Sequence, residues 1–243
     1  MLKYLRNLTP ALIILVSSAT YAQTYDAGVF AGGAFYLGDL NPYMKPANLF
    51  INNQPAGGGI LRYNHNQHVS ARLNASFAMI KGSNENSPYN IVPAYIFEFE
   101  TNIYELSLQG EINFLPFISG DIETRFTPYL FGGIGGMYFD TKVDYDPITS
   151  LRISKIEHFD GQDNQNYAKF NYLGLFGFGF KFNIAEDFTA GIEWGFRSTN
   201  THYLDEVRFK GNPESKDWYS LFGLSLTYKF LDRSRPPCPN HNL

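Results

Sequence analysis

The chain lacks most of what a soluble enzyme or a helical membrane protein needs. It has one cysteine, Cys238, among 243 residues, so no internal disulfide can form. That thiol is either free or joined to a partner. No apolar run is long enough to cross a membrane as a helix. The net charge is only −4 and gives no nucleic-acid footprint. Histidines number five, and His65, His68, His158, His202 and His241 are scattered. There is no low-complexity tract, no internal repeat and no second domain. What abounds is aromatic: 22 Phe and 17 Tyr, with 22 Gly.

Residues 1–22 read as a secretory signal. Lys3 and Arg6 supply the positive start, Ala11–Val16 the apolar run, and Thr20-Tyr21-Ala22 the cleavage positions. The mature chain would begin at Gln23, and no cysteine follows there to carry lipid. An exported chain that enters a membrane without helices must close a barrel, because lipid cannot satisfy open backbone groups.

The segment Tyr104–Phe114 shows how. Tyr104, Leu106, Leu108, Ile112 and Phe114 share one face, and Glu105, Ser107, Gln109, Glu111 and Asn113 the other. Successive strand side chains point to opposite faces, so one face is apolar and the other polar. About eight such stretches recur: 25–37, 56–64, 68–80, 97–114, 125–139, 169–184, 188–199 and 217–230. The fold class is therefore all-β: an eight-stranded antiparallel transmembrane barrel, lipid outside and polar lumen inside, in a Gram-negative outer membrane. Residues 23–230 form the barrel and 231–243 a short tail, whose prolines exclude a strand. The fifth stretch is too rich in glycine (132, 133, 135, 136) for its facing to be read.

The connections alternate between short (65–67, 185–187, with 115–124 of medium length) and long (38–55, 81–96, 140–168, 200–216). Outer-membrane barrels keep short turns in the periplasm and long loops outside, so both termini are expected in the periplasm.

By parity the lumen receives Arg62, Arg72, Glu105, Glu111, Lys181, Glu193, Arg197 and Lys229. Eight strands enclose just enough room for side chains, and unpaired buried charge is costly, so these should pair into a plug rather than line a channel. No catalytic residue, metal site or cofactor is expected. His65 and His68 flank a tight turn. His158 and His202 stand near Asp160 and Asp205 in long loops, a weak rim-enzyme pattern. Asp160–Asn166 offers close oxygens without the order of a calcium loop. Two features point to a partner in the periplasm: the apolar turn Leu115-Pro116-Phe117-Ile118, read as a docking knob or as strand overhang, and the Cys238 tail.

At Gly28–Pro42 the chain runs through Tyr36-Leu37-Gly38-Asp39-Leu40-Asn41. This stretch resembles the PorG-like outer-membrane proteins of the type IX secretion system of Bacteroidetes. The strand count, the absent second domain and Cys238-Pro239 are similar too. The resemblance implies a non-catalytic component of a protein secretion machine. Its partners would be outer-membrane lipid and a periplasmic ring built from PorK- and PorN-type proteins, and it would support export or gliding motility. The alternative is a generic small barrel for envelope integrity or adhesion, and, further off, a small pore or rim enzyme.

Overall fold

The computed structural model describes residues 23–37, 53–83, 95–147, 169–200 and 218–232, with backbone alone at 83, 95–98 and 143–147. Eight strands follow in order: β1 Thr24–Leu37, β2 Gln54–Asn64, β3 Val69–Ser83, β4 Tyr95–Asn113, β5 Phe126–Pro147, β6 Phe170–Ala185, β7 Phe188–Thr199 and β8 Trp218–Asp232. Each pairs antiparallel with the next, and β8 returns to β1, so the sheet is a closed barrel. Closure leaves no strand edge with unpaired backbone groups.

Period-two alternation decides the facing. On β4 and just past its end, Tyr104, Leu106, Leu108, Ile112 and Phe114 point out, while Glu105, Ser107, Gln109, Glu111 and Asn113 are buried inside. At about 3.3 Å per residue and a tilt of about 40°, Tyr104–Phe114 covers about 25 Å, the height of a lipid-facing belt. Rings border it at both levels. At one end stand Tyr25–Tyr63 and Phe126–Phe182, each with centroids 5.0 Å apart. At the other stand Phe77–Tyr104 at 5.2 Å and Tyr104–Tyr138 at 6.4 Å. Charge returns to the outer face just beyond the second girdle, in the pairs Lys81–Glu100 (2.8 Å) and Lys169–Asp140 (2.5 Å).

One end of the barrel, the turn end, gathers Thr24, Asp232 and the connections after β2, β4 and β6. The opposite strand ends form the loop end; segments 38–52, 84–94, 148–168 and 201–217 lie outside the described residues. The β2–β3 turn is tight because Asn66 Oδ1 accepts from the backbone N–H of His68 (2.8 Å) and Val69 (2.7 Å).

One reading from the sequence needs correction, and one left open is completed. The fifth strand does not stop at Phe139. It pairs with β4 as far as Tyr95↔Pro147. Its polar stretch Asp140–Asp144 looks like a loop, yet Thr101 donates to Thr141 across the ladder at 3.0 Å. Its facing is also settled: Tyr129, Phe131, Met137 and Phe139 are inside, and Leu130, Ile134 and Tyr138 outside.

Candidate functional site

The interior of the barrel is in three tiers, and the middle one carries the charge. Arg62 and Arg72 stand directly opposite each other on β2 and β3. Like charges so placed repel. Glu111 on β4 resolves this by bridging them: its carboxylate lies 3.0 Å from Arg62 Nε and 3.3 Å from Arg72 Nε, and 2.5 Å from Lys181 Nζ. Arg72 reaches on to Glu193 Oε2 at 2.6 Å, and Tyr129 OH donates to the same oxygen at 2.6 Å. Arg72 also donates to Gln109 Oε1.

A second knot adjoins it toward the loop end, linked through Gln109 and Ser107. Glu105 Oε2 accepts from Tyr219 OH (2.8 Å) and Arg197 Nε (3.3 Å), and Glu105 Oε1 accepts from Ser107 Oγ (2.8 Å). Lys229 is at the mouth of the turn end, 3.8 Å from Asp187 and 3.7 Å from Asp232.

The structure thus brings seven of the sequence candidates into two adjoining knots and leaves Lys229 at the rim. Asp26 was missed. It is 1% exposed, 3.7 Å from Arg62 and accepts from Asn64 Nδ2 at 2.8 Å. The parity of β1 would have found it, since Asp26 shares its face with Gly28 and Phe30. Tyr129, Tyr219 and Gln109 were missed as network members because their charge-free side chains carry no sign.

The upper tier corrects the expectation of a lumen polar throughout. Toward the loop end, beyond the Glu105–Arg197 pair, the inward residues are mostly apolar, with Thr101 and Thr199 among them. Ile80, Ile103, Met137 and Phe139 are fully buried there, and Phe99 and Leu221 nearly so. Tyr36 packs edge-on against Phe99 with centroids 5.1 Å apart. The rings need space in so narrow a barrel, and glycines give it. A Cβ at Gly179 would come within 2.8 Å of the Tyr129 ring, and one at Gly177 would strike Phe131.

The lower tier is a cap. Segment 114–125, between β4 and β5, folds across the mouth instead of hanging as a turn. Phe117 N–H donates to Gln67 O on the β2–β3 turn (3.0 Å). On the far side Asn183 Nδ2 reaches the carbonyls of Ile118 (2.8 Å), Asp121 (2.9 Å) and Thr124 (2.9 Å), while its Oδ1 accepts from Gly120 N–H at 3.0 Å. Gly120 has φ +72°, a region that disfavours side chains, and a Cβ there would strike the Glu186 carbonyl.

This changes the partner-facing set. Phe117 is 5% exposed, and Lys181 Nζ stands 6.0 Å from its ring centroid. It is a stopper of the barrel, not a docking knob, because the cap turns it inward. Ile118 is half-buried, and Leu115 remains exposed. Exposed Ile122, not singled out from the sequence, belongs to the same cap surface. His65 and His68 flank the β2–β3 turn, and the His68 ring bonds to Asn113 O through Nδ1 at 3.0 Å. Cys238, His158, His202, Asp160, Asp205 and the 38–41 part of the Gly-Asp-Leu motif lie outside the described residues.

A family model described as a domain of unknown function (DUF6089) matches residues 5–240. The chain belongs to this family. No curated protein matches it. Among solved structures it is similar to Neisserial surface protein A, with TM-score 0.46 and 8% identity over 85% of this chain and 97% of that one. OprG from Pseudomonas aeruginosa gives 0.42 and 11% over 86% and 98%. Outer membrane protein W of E. coli gives 0.39 and 13% over 87% and 100%. This DUF6089 member is an integral outer-membrane β-barrel, as its own girdled, lipid-high apolar face requires of a closed sheet.

Proposed function

We propose that this barrel is a closed membrane anchor, a non-catalytic component of a protein secretion machine of the type IX kind. The observation that carries the reading is the filled interior. Cap, ion network and apolar tier lie in series along the barrel axis, so the work falls to the two rims. Short turns at the capped end favour a periplasmic placement of that end, with 1–22 as a removed signal and 233–243 as a periplasmic tail. The cap is tied down by Asn183 and presents Leu115 and Ile122 outward, a firm apolar surface for a ring of PorK- and PorN-type proteins. The secretion assignment itself rests on the Tyr36–Asn41 resemblance.

A pull-down from detergent-solubilised outer membrane, read by mass spectrometry, tests this. Periplasmic ring proteins should copurify with the wild type and be lost from Leu115→Asp/Ile122→Asp, while heat-modifiable gel mobility shows both barrels folded. A solitary barrel in the wild type would return the protein to the general class of small envelope barrels.

A further inference from the structure

The inner wall formed by β7 and β8 is bare beside the ion network. Gly191 is flanked on its two ladders by Lys181 and Ser225, and Glu193 pairs with Gly223. A Cβ built at Gly191 would strike Ser225 Oγ. The next nearest atoms, its chain neighbours aside, are the Phe180 carbonyl oxygen at 3.5 Å and Ser225 Cβ at 3.8 Å. The serine hydroxyl thus leans over room that the glycine leaves. Two inward oxygens border this room. Glu193 Oε2 is taken by Arg72 and by Tyr129 OH, each at 2.6 Å. Its Oε1 has no donor among the described residues, although the side chain is only 8% exposed. Ser225 is 7% exposed, and its hydroxyl likewise has no partner among the described residues.

We propose that this niche in the lumen wall binds one water molecule, held between Glu193 Oε1 and Ser225 Oγ. The two residues are diagonal neighbours across the β7–β8 ladder, with Cβ atoms about 7 Å apart. Glu193 is drawn toward Arg72, so the short serine side chain does not meet its free oxygen, and a single bridging molecule spans the difference. Water accepts the serine proton and donates one of its own to the carboxylate, which satisfies both groups. An apolar occupant would leave both oxygens unsatisfied. A metal cation is opposed by charge. Arg62, Arg72, Lys181 and Arg197 already match Asp26, Glu105, Glu111 and Glu193 one for one, and Lys181 stands on the adjoining strand. The stopper is then built partly of solvent at the level where glycine leaves side chains out. The inference is independent of the secretion reading.

The full barrel is crystallised and, in parallel, studied by NMR in lipid nanodiscs, where cross-relaxation with long-lived water marks the amide protons near it. The wild type should show density for one water between Glu193 and Ser225, and water cross-peaks at the Gly191 and Ser225 amides. Ser225→Asn carries its own amide donor into the niche and should lose both signals. Ser220→Ala, on the opposite face of β8, should keep both. Should Ser225→Asn fail to fold, with gel mobility as the check, the wild-type density decides alone. The proposal is overturned by a wild-type niche without density, by a direct Ser225–Glu193 hydrogen bond, or by cross-peaks undiminished in Ser225→Asn. An anomalous peak at the niche in crystals grown with rubidium chloride would overturn it too, because it would assign the site to a cation.

Discussion

The two halves of the lumen fill the same space by opposite means. The half nearer the turn end uses Arg62, Arg72 and Lys181 against Asp26, Glu111 and Glu193, with the Glu105–Arg197 pair above them at the level of Met137, all nine-tenths buried or more. The half nearer the loop end uses Ile80, Ile103, Phe99, Met137 and Phe139. An apolar core loses stability in proportion to what is removed. A buried ion network fails differently: taking out one partner strands the others, and the cost is that of a desolvated charge. The charged half is therefore the brittle one, and the apolar half the forgiving one. Together they give a barrel that is specific in register at one level and merely well packed at the next.

The largest effect should come from Glu111→Leu. It leaves Arg62, Arg72 and Lys181 without the carboxylate they share. Urea unfolding in lipid vesicles should show a loss of about 3–5 kcal/mol. A smaller loss than that of an apolar truncation would break the contrast between the halves. Ile103→Ala supplies that truncation. It removes a fully buried side chain from the apolar half, and the same measurement should give about 2–5 kcal/mol, toward the low end if the neighbours collapse into the gap.

How much of this could be read beforehand follows from the same division. Strand β4 was legible around residues 104–114 because its inner face is polar there, so alternation carried a sign. Where the lumen turns apolar, both faces of a strand look alike. Ala34-Phe35-Tyr36 and Met137-Tyr138-Phe139 offer no polar partner to mark the inside, so the upper tier went unseen. Gly132–Gly136 hid the facing of β5 for the plainer reason that glycine has no side chain to classify. Arg62, Arg72 and Glu111 were found by parity alone, but their distances needed the register. Phe117 was misplaced because an apolar residue in a connection looks exposed until the fold of that connection is known. The Asn183 side chain that holds the cap comes from another strand, about 60 residues along the chain.

Removing both members of an ion pair should cost far less than removing one. Glu105→Leu alone strands Arg197 and Tyr219 OH. Adding Arg197→Met withdraws the charge as well, and converts this knot to the chemistry of the upper tier. Double variants of this kind are often neutral or better. The Glu105→Leu/Arg197→Met barrel should unfold close to the wild-type midpoint, with Glu105→Leu alone well below it. Equal losses in the single and double variants would mean that the hydroxyl and backbone contacts, not the charge, hold this level.

The smallest effect is expected in the ion current, and it tests the halves as barriers in series. Ile80→Ala/Ile103→Ala opens volume in the upper tier only. Beneath it the Glu111 and Glu105 knots still occupy the cross-section, and below those Phe117 and the Asn183-held cap close the mouth. Planar bilayers should therefore record no steady single-channel current from this variant, as from the wild type. The converse variant, Glu105→Leu/Arg197→Met, should be silent as well. It makes the Glu105–Arg197 level apolar, where a constriction excludes water and blocks ions by dewetting, and the Glu111 network still fills the lumen toward the turn end. A large, steady conductance from either variant would show that its own tier was the sole barrier, and would replace a stopper built in series with a single gate.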